Sequence, residues 1–188
     1  MRHTVLLLAA IALLNGCGGE PTPTETTPKL QAQRAAGAAL SADVNQDLAT
    51  LRRLTASFHD FDNATAAGWS AQITPCMESP EGGMGFHYGN VALIDGNARV
   101  DEPELLLYEP EANGRLRLVA VEYIIPYTAH SRDAAPPVLF GQPFIRNDVF
   151  QLWGLHAWVW KNNPSGIFAN WNPQVNCANA SAVSRMEH

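Results

Sequence analysis

The chain has 188 residues, of which 46% are hydrophobic and 16% are charged, and its formal net charge is −6 at pH 7. This length suits one globular domain that buries its own core. The acidic balance and the lack of a basic run argue against a nucleic-acid-binding protein, so no nucleic-acid partner is expected.

The N-terminal residues follow the order of a bacterial export signal. Arg2 supplies a positive charge, residues 5–14 form an apolar run, and a small-residue segment ends at Cys17. The run has about ten residues, whereas a membrane-spanning helix needs about twenty. We therefore predict that residues 1–16 are a signal peptide and not a stable membrane span.

Leu14-Asn-Gly-Cys17 resembles the lipobox of bacterial lipoproteins, in which the cysteine thiol takes a diacylglycerol. The resemblance implies a mature chain that begins at acylated Cys17 and has a lipid bilayer as its partner. Gly18, and not an aspartate, follows the cysteine, which by resemblance to enteric lipoproteins favours the outer membrane, with the domain in the periplasm or at the cell surface. A plain secretory signal with a cysteine by chance is the alternative.

Residues 17–42 are predicted to form the lipidated cysteine and a flexible tether. They are rich in proline, threonine and alanine and poor in large apolar residues, so they cannot pack a core. The folded domain is predicted over residues 43–178, and residues 179–188 are predicted to form a C-terminal tail.

Helical periodicity begins directly after the tether. Asp43 and Gln46 predict a capping box, and apolar residues at helical spacing predict an amphipathic helix over residues 44–59. A second short helix is predicted over residues 61–67, with Gly68 as the residue that ends it.

Short runs typical of β-strands follow Trp69 and are divided by glycine, proline, asparagine and aspartate. The clearest hairpin pairs residues 104–109 with residues 115–125 through Asn113-Gly114. Residues 151–160 predict another strand, although their apolar spacing also fits a helix. The predicted fold is therefore a single α+β domain, with the N-terminal amphipathic helix packed on a twisted antiparallel sheet.

Two cysteines remain if Cys17 carries lipid, namely Cys76 and Cys177. An even pair in an oxidising compartment predicts a disulfide. It would close a loop of about a hundred residues and stabilise the fold by about 4 to 5 kcal/mol in the chain-entropy model. Two separate thiols are the alternative.

Polar residues occur where the strand pattern calls for apolar ones. Alternation places Glu122 on the face of its strand that carries Leu116, Leu118, Ala120 and Ile124. It places His156 on the face that carries Leu152, Gly154, Trp158 and Trp160. His87 lies between two aromatic residues after a glycine-rich bend. Buried polar groups need partners, and these three are candidate partners for one another.

His87, Glu122 and His156 together offer the donor set of a divalent metal site, either a facial triad for iron or a zinc site with an open position. The hypothesis is a metal-binding or metal-dependent protein. The three residues come from distant segments and no local motif joins any two of them. The alternative is therefore that Glu122 hydrogen-bonds a buried histidine or tyrosine and orders the core.

Aromatic residues are the second unusual feature. Trp153, Trp158, Trp160 and Trp171 lie close to several asparagines, which predicts a cleft for a small molecule or a protein partner. Core packing with bonded indole N–H groups is the alternative. Because the common catalytic motifs are missing, the leading expectation is a non-enzymatic binding module of the cell envelope.

Several runs resemble those of an uncharacterised family of bacterial exported proteins. They are Met84-Gly-Phe-His-Tyr88, Pro103-Glu-Leu-Leu-Leu-Tyr-Glu109, Leu118-Val-Ala-Val-Glu-Tyr-Ile124, Leu155-His-Ala-Trp-Val-Trp160, and Asn163-Pro-Ser-Gly continuing through Trp171-Asn-Pro to Cys177. The resemblance covers residues 45–177 and implies a distinct domain without implying an activity.

Overall fold

The computed structural model describes residues 40–183, so the predicted signal peptide, the acylation of Cys17 and nearly all of the tether lie outside the described residues. The helices are α1 (Ala42–Thr55), α2 (Phe61–Ala66) and α3 (Ala180–Val183), with 3-10 turns at Ala56–His59 and Val91–Leu93. Between residues 40 and 183, no helix has the length and apolar character needed to cross a membrane.

Eight strands follow α2. They are β1 (Ala71–Ser79), β2 (Gly82–Gly89), β3 (Leu105–Pro110), β4 (Leu116–Pro126), β5 (Val138–Leu139), β6 (Gln142–Pro143), β7 (Ile145–Asn147) and β8 (Leu152–Ala157). Six of them form one curled antiparallel sheet in the order β1-β2-β3-β4-β8-β7, and β5 pairs with β6. The prediction of a single α+β domain with an antiparallel sheet is confirmed, as is the β3–β4 hairpin.

Helix α1 begins earlier than predicted because its N-cap is Ser41 and not the Asp43 capping box. The Ser41 hydroxyl accepts a hydrogen bond from the Val44 N–H at 3.2 Å, which satisfies one of the exposed donors of the first turn. The α-helix ends at Thr55 and continues only as a 3-10 turn. Helix α2 ends at Ala66, one residue earlier than predicted, and Gly68 follows its C-cap Ala67 with φ +110°, as predicted for the residue that ends the helix.

The sheet buries apolar side chains on both faces. The helix-side core contains Leu48, Leu51, Tyr108, Tyr123, Trp153 and Leu155, among others. A smaller cluster on the other face, which we call the second face, contains Leu105, Leu107, Val119, Ala120, Ile124, Trp158 and Val175. Val183 packs in the helix-side core, so the fold continues into the segment that was predicted as a tail.

A β-bulge in β4 changes the predicted face of part of that strand. The pairing with β3 slips between Leu118 and Ala120, which leaves Val119 as an extra residue. Leu116 and Leu118 therefore pack against the helix-side core, although alternation predicted them on the face of Glu122. Pairing is regular from Ala120 onward, so Glu122 keeps its predicted face.

Strand β8 also ends earlier than predicted, at Ala157. Trp158 still packs on the second face, where its backbone N–H donates to the Ile167 carbonyl at 2.8 Å. Trp160 packs against the helix-side core and does not share a face with His156, because strand alternation no longer applies beyond Ala157.

The predicted disulfide between Cys76 and Cys177 is present, and it links residues separated by 101 positions. Beside it, the Cys177 N–H donates to Glu78 Oε2 at 3.0 Å. The bond thus fastens edge strand β1 to the C-terminal segment.

Candidate metal centre

The second face of the sheet carries all three predicted ligand residues. Register places Glu122 on β4 opposite His156 on β8, and Thr74 on β1 opposite His87 on β2. Strand β3 separates the two pairs and places Leu105 and Leu107 between them on this face. The curl of the sheet brings His87 over β3 toward Glu122.

The three side chains meet in space. His87 Nε2 lies 3.5 Å from Glu122 Oε2, and His156 Nε2 lies 3.8 Å from Glu122 Oε1. One nitrogen or oxygen atom from each residue lies within 4.8 Å of the others. All three residues are buried, with 4%, 7% and 3% exposure for His87, Glu122 and His156. The sequence pattern identified each residue, and the structure shows that they form one cluster.

Thr74 contacts the ring nitrogen of His87 that does not face Glu122. Its hydroxyl oxygen lies 2.8 Å from His87 Nδ1, so Nε2 is the nitrogen that faces Glu122. When Nε2 presents its lone pair, Nδ1 carries the proton and donates it to the Thr74 oxygen. This is the arrangement by which outer groups fix the tautomer of a metal-ligating histidine. Sequence reasoning missed Thr74, which became visible only through the β1–β2 register.

His156 is unusual because, among the described residues, neither of its ring nitrogens has a hydrogen-bond partner. The Asn170 amide lies near the ring and raises the pKa of His156, partly offsetting the effect of burial, but it does not reach hydrogen-bond geometry. An unsatisfied buried polar group costs about 1 to 3 kcal/mol. At 3.8 Å, Glu122 Oε1 is too far from His156 Nε2 for the Glu122–histidine hydrogen bond of the alternative interpretation.

Burial shifts the pKa of all three groups toward their neutral forms. It lowers the pKa of His87 to about 3, with nearby His156 adding to the shift, and it lowers the pKa of His156 to about 4. It raises the pKa of Glu122 to about 8, an effect to which the carboxylate of Glu104 contributes. At neutral pH both imidazoles can donate lone pairs, whereas Glu122 holds a proton that a cation would displace.

Glu104 is a second buried carboxyl group that sequence reasoning missed. It is completely buried before β3, and its Oε2 accepts a hydrogen bond from the Ile124 N–H at 3.2 Å. Burial raises the pKa of Glu104 to about 8. Glu104 lies near enough to influence Glu122 but is not part of the three-residue cluster.

Gly154 makes room for the carboxylate. A Cβ at this position in β8 would lie 2.8 Å from Glu122 Oε1. The glycine was visible in the sequence, but its role depends on the β4–β8 register. The cluster and Gly154 line one cavity of about 100 Å³.

The four predicted ligand-binding tryptophans do not line one cleft. Trp158 and Trp160 line a groove of about 800 Å³, whereas Trp153 and Trp171 lie outside it. The Trp158 and Trp160 indoles donate to the Ala169 carbonyl at 2.6 Å and to Thr55 Oγ1 at 2.9 Å. Their polar ends are therefore engaged within the fold.

Comparison of the chain with protein-family models, curated proteins and solved structures finds no match. The resemblance to bacterial exported proteins stays a prediction.

Proposed function

We propose that this domain binds one divalent transition-metal ion through His87, Glu122 and His156. The supporting observation is His156, which is buried beside a carboxyl group with both ring nitrogens lacking a hydrogen-bond partner among the described residues. A bound cation would satisfy one of these nitrogens and offset the cost of burying the Glu122 charge.

The separations of the ligand atoms fit this role after side-chain movements of about 1 Å. Ligand atoms at about 2.1 Å from an ion are about 3.4 Å apart when their bonds meet at a tetrahedral angle. The contacts from Glu122 to His87 and His156 are 3.5 and 3.8 Å. These contacts use different carboxylate oxygens, and the three ligand atoms lie within 4.8 Å of one another, so movements of about 1 Å would complete the geometry. Thr74 would hold the His87 ring in place.

Three protein ligands leave at least one coordination position open to water or another molecule. Imidazole nitrogens suit zinc, copper, iron and nickel, and the carboxylate shifts the balance away from copper(I). The tryptophan groove is a weaker candidate site because the indole N–H groups of Trp158 and Trp160 already bond to protein groups.

Metal content and a cobalt titration test the proposal. We expect protein purified without chelator to carry about one transition-metal ion per chain, and metal-free protein to bind one Co²⁺ with visible d–d absorption bands. His156→Ala should remove these bands, and His130→Ala, at a half-buried histidine outside the cluster, should retain them. Substoichiometric metal together with a featureless cobalt titration would contradict the proposal.

We further propose that the chain is exported and anchored to a membrane, with its domain in the periplasm or at the cell surface. The lipobox resemblance at Cys17 supports this, and a Cys76–Cys177 disulfide suits an oxidising compartment. Intact mass of the native protein should correspond to a chain that begins at Cys17 and carries lipid. A species that begins at Met1, or one without fatty-acid mass, would contradict it.

A further inference from the structure

The cavity lined by His87, Glu122 and His156 lies between the two edge strands of the curled sheet. Strands β1 and β7 are the first and last strands in the sheet order, and both contribute lining residues, including Ile73 from β1 and Ile145 from β7. The candidate ligands lie at the inner end, on β2, β4 and β8. A molecule that reaches the ion therefore passes between the two edge strands.

The remaining wall of the cavity is largely apolar. Its apolar lining residues are Ile73, Met77, Met84, Leu105, Ile124, Ile145, Phe150 and Leu152. Of the polar lining residues, Thr74 is bonded to His87, and Asn147 Oδ1 accepts from the Phe150 N–H at 3.1 Å. Thr74 and Asn147 are therefore already committed to protein partners, whereas the third uncharged polar residue of the wall, Asn170, lies beside His156.

Arg146 is the only cationic residue among the described residues that line the cavity. Its position opposite Trp153 places its side chain on the face of the sheet away from the cluster. Its guanidinium carbon lies 6.0 Å from the ring centroid of Trp153, which packs in the helix-side core. An anionic ligand would therefore find no side-chain cation of the cavity wall facing it, apart from the metal.

The rim is apolar and open to solvent. Ile73, Ile145 and Phe150 are 43%, 45% and 47% exposed, although they are large hydrophobic residues. Single exposed hydrophobic residues are common, but these three converge on one opening. The cavity volume of about 100 Å³ corresponds to about three waters at about 30 Å³ each, so it suits only a small ligand.

We propose that the open metal position takes a small uncharged molecule, which offers one lone-pair atom to the ion and rests an apolar body against Ile73, Ile145 and Phe150. This inference rests on the proposed metal function. Neutral azoles are molecules of this class. An anionic group resting on the rim would lose hydration against Ile73, Ile145 and Phe150, and the wall offers it no facing side-chain cation in return.

Two azoles with the same donor ring test the proposal on Co²⁺-loaded protein. 4-Methylimidazole carries an apolar substituent and imidazole-4-acetate an anionic one. At a pH where both rings are neutral, shifts of the cobalt bands should show at least tenfold tighter binding of 4-methylimidazole. Attraction to the cation alone would favour the acetate, so equal or tighter binding of imidazole-4-acetate would overturn the proposal.

A matched pair of lysine variants locates the effect at the rim. Ile145→Lys should tighten imidazole-4-acetate binding at least fivefold relative to 4-methylimidazole. Val138→Lys, at a position that is 64% exposed on β5 outside the cavity, should leave the ratio unchanged. Equal changes in both variants would overturn the proposal. Absence of cobalt bands before any azole is added would instead show failure of the metal function itself, and the inference would fall with it.

Discussion

Glu122→Gln is expected to lower metal affinity at least about a thousandfold, because even the outer groups of metal sites contribute about tenfold to a hundredfold. Glutamine has nearly the shape of glutamate but provides no negative charge. The metal-free fold should survive the change near neutral pH, since burial raises the pKa of Glu122 to about 8 and the native carboxyl is then mostly protonated. Cobalt titration and the melting temperature of the metal-free protein measure both effects.

The pH dependence of stability separates loss of a ligand from general damage. The folded pKa of Glu122 lies above its ordinary value of 4.5. Its contribution to the free energy of unfolding is therefore present below pH 4.5 and lost as the pH rises through about 8. The variant lacks this loss, so it should gain stability relative to the native protein across that interval. The free energy of unfolding of each protein is measured by denaturant unfolding across this pH range. If it changed with pH equally in the native protein and in Glu122→Gln, Glu122 would ionise normally in the folded protein.

The two histidines affect the pH dependence of stability in the opposite direction to Glu122. Burial lowers the pKa of His87 to about 3 and that of His156 to about 4, both from 6.5. Their contributions are present above pH 6.5 and are lost as the pH falls through these values. Both histidines are retained in Glu122→Gln. The loss of stability at acidic pH therefore serves as the internal control for the change expected as the pH rises through about 8.

The candidate ligand residues were predictable because they break the alternation of polar and apolar residues along a strand. Glu122 and His156 interrupt apolar faces, and a period of two residues is enough to detect this. The bulge at Val119 did not change that result, since the strand is regular from Ala120 onward. The same bulge made the prediction for Leu118 wrong, because no feature of the local sequence marks where an extra residue enters a strand.

The supporting residues were not predictable from the sequence. Thr74 acts through its position opposite His87, and Gly154 acts through its position beside the Glu122 carboxylate. Both roles depend on which residues face each other across strands, and pairing register is a property of the whole sheet. The approach of His87 to Glu122 depends further on the curl of the sheet over β3.

Gly154→Ala is expected to lower metal affinity about a hundredfold, because mutating the groups that support metal ligands costs up to about that factor. Little loss of stability is expected. The added Cβ would lie 2.8 Å from Glu122 Oε1, so one of the two must move. The carboxylate is the end of a flexible side chain and yields more easily than the backbone of β8. Gly154 lies in a strand and does not have a positive φ, so alanine can adopt its conformation.

Shortening the acid provides the control for this substitution. Glu122→Asp withdraws the carboxylate by one methylene, which removes the collision with a Cβ at position 154. The affinity losses of Glu122→Asp and Gly154→Ala should therefore be less than additive in the double variant, because the two residues are in direct contact. Cobalt titrations of the four proteins give the coupling, and denaturant unfolding confirms that each is folded. Native affinity in Gly154→Ala, or strictly additive losses, would mean that the Glu122 carboxylate does not hold the ion from the position seen in the structure.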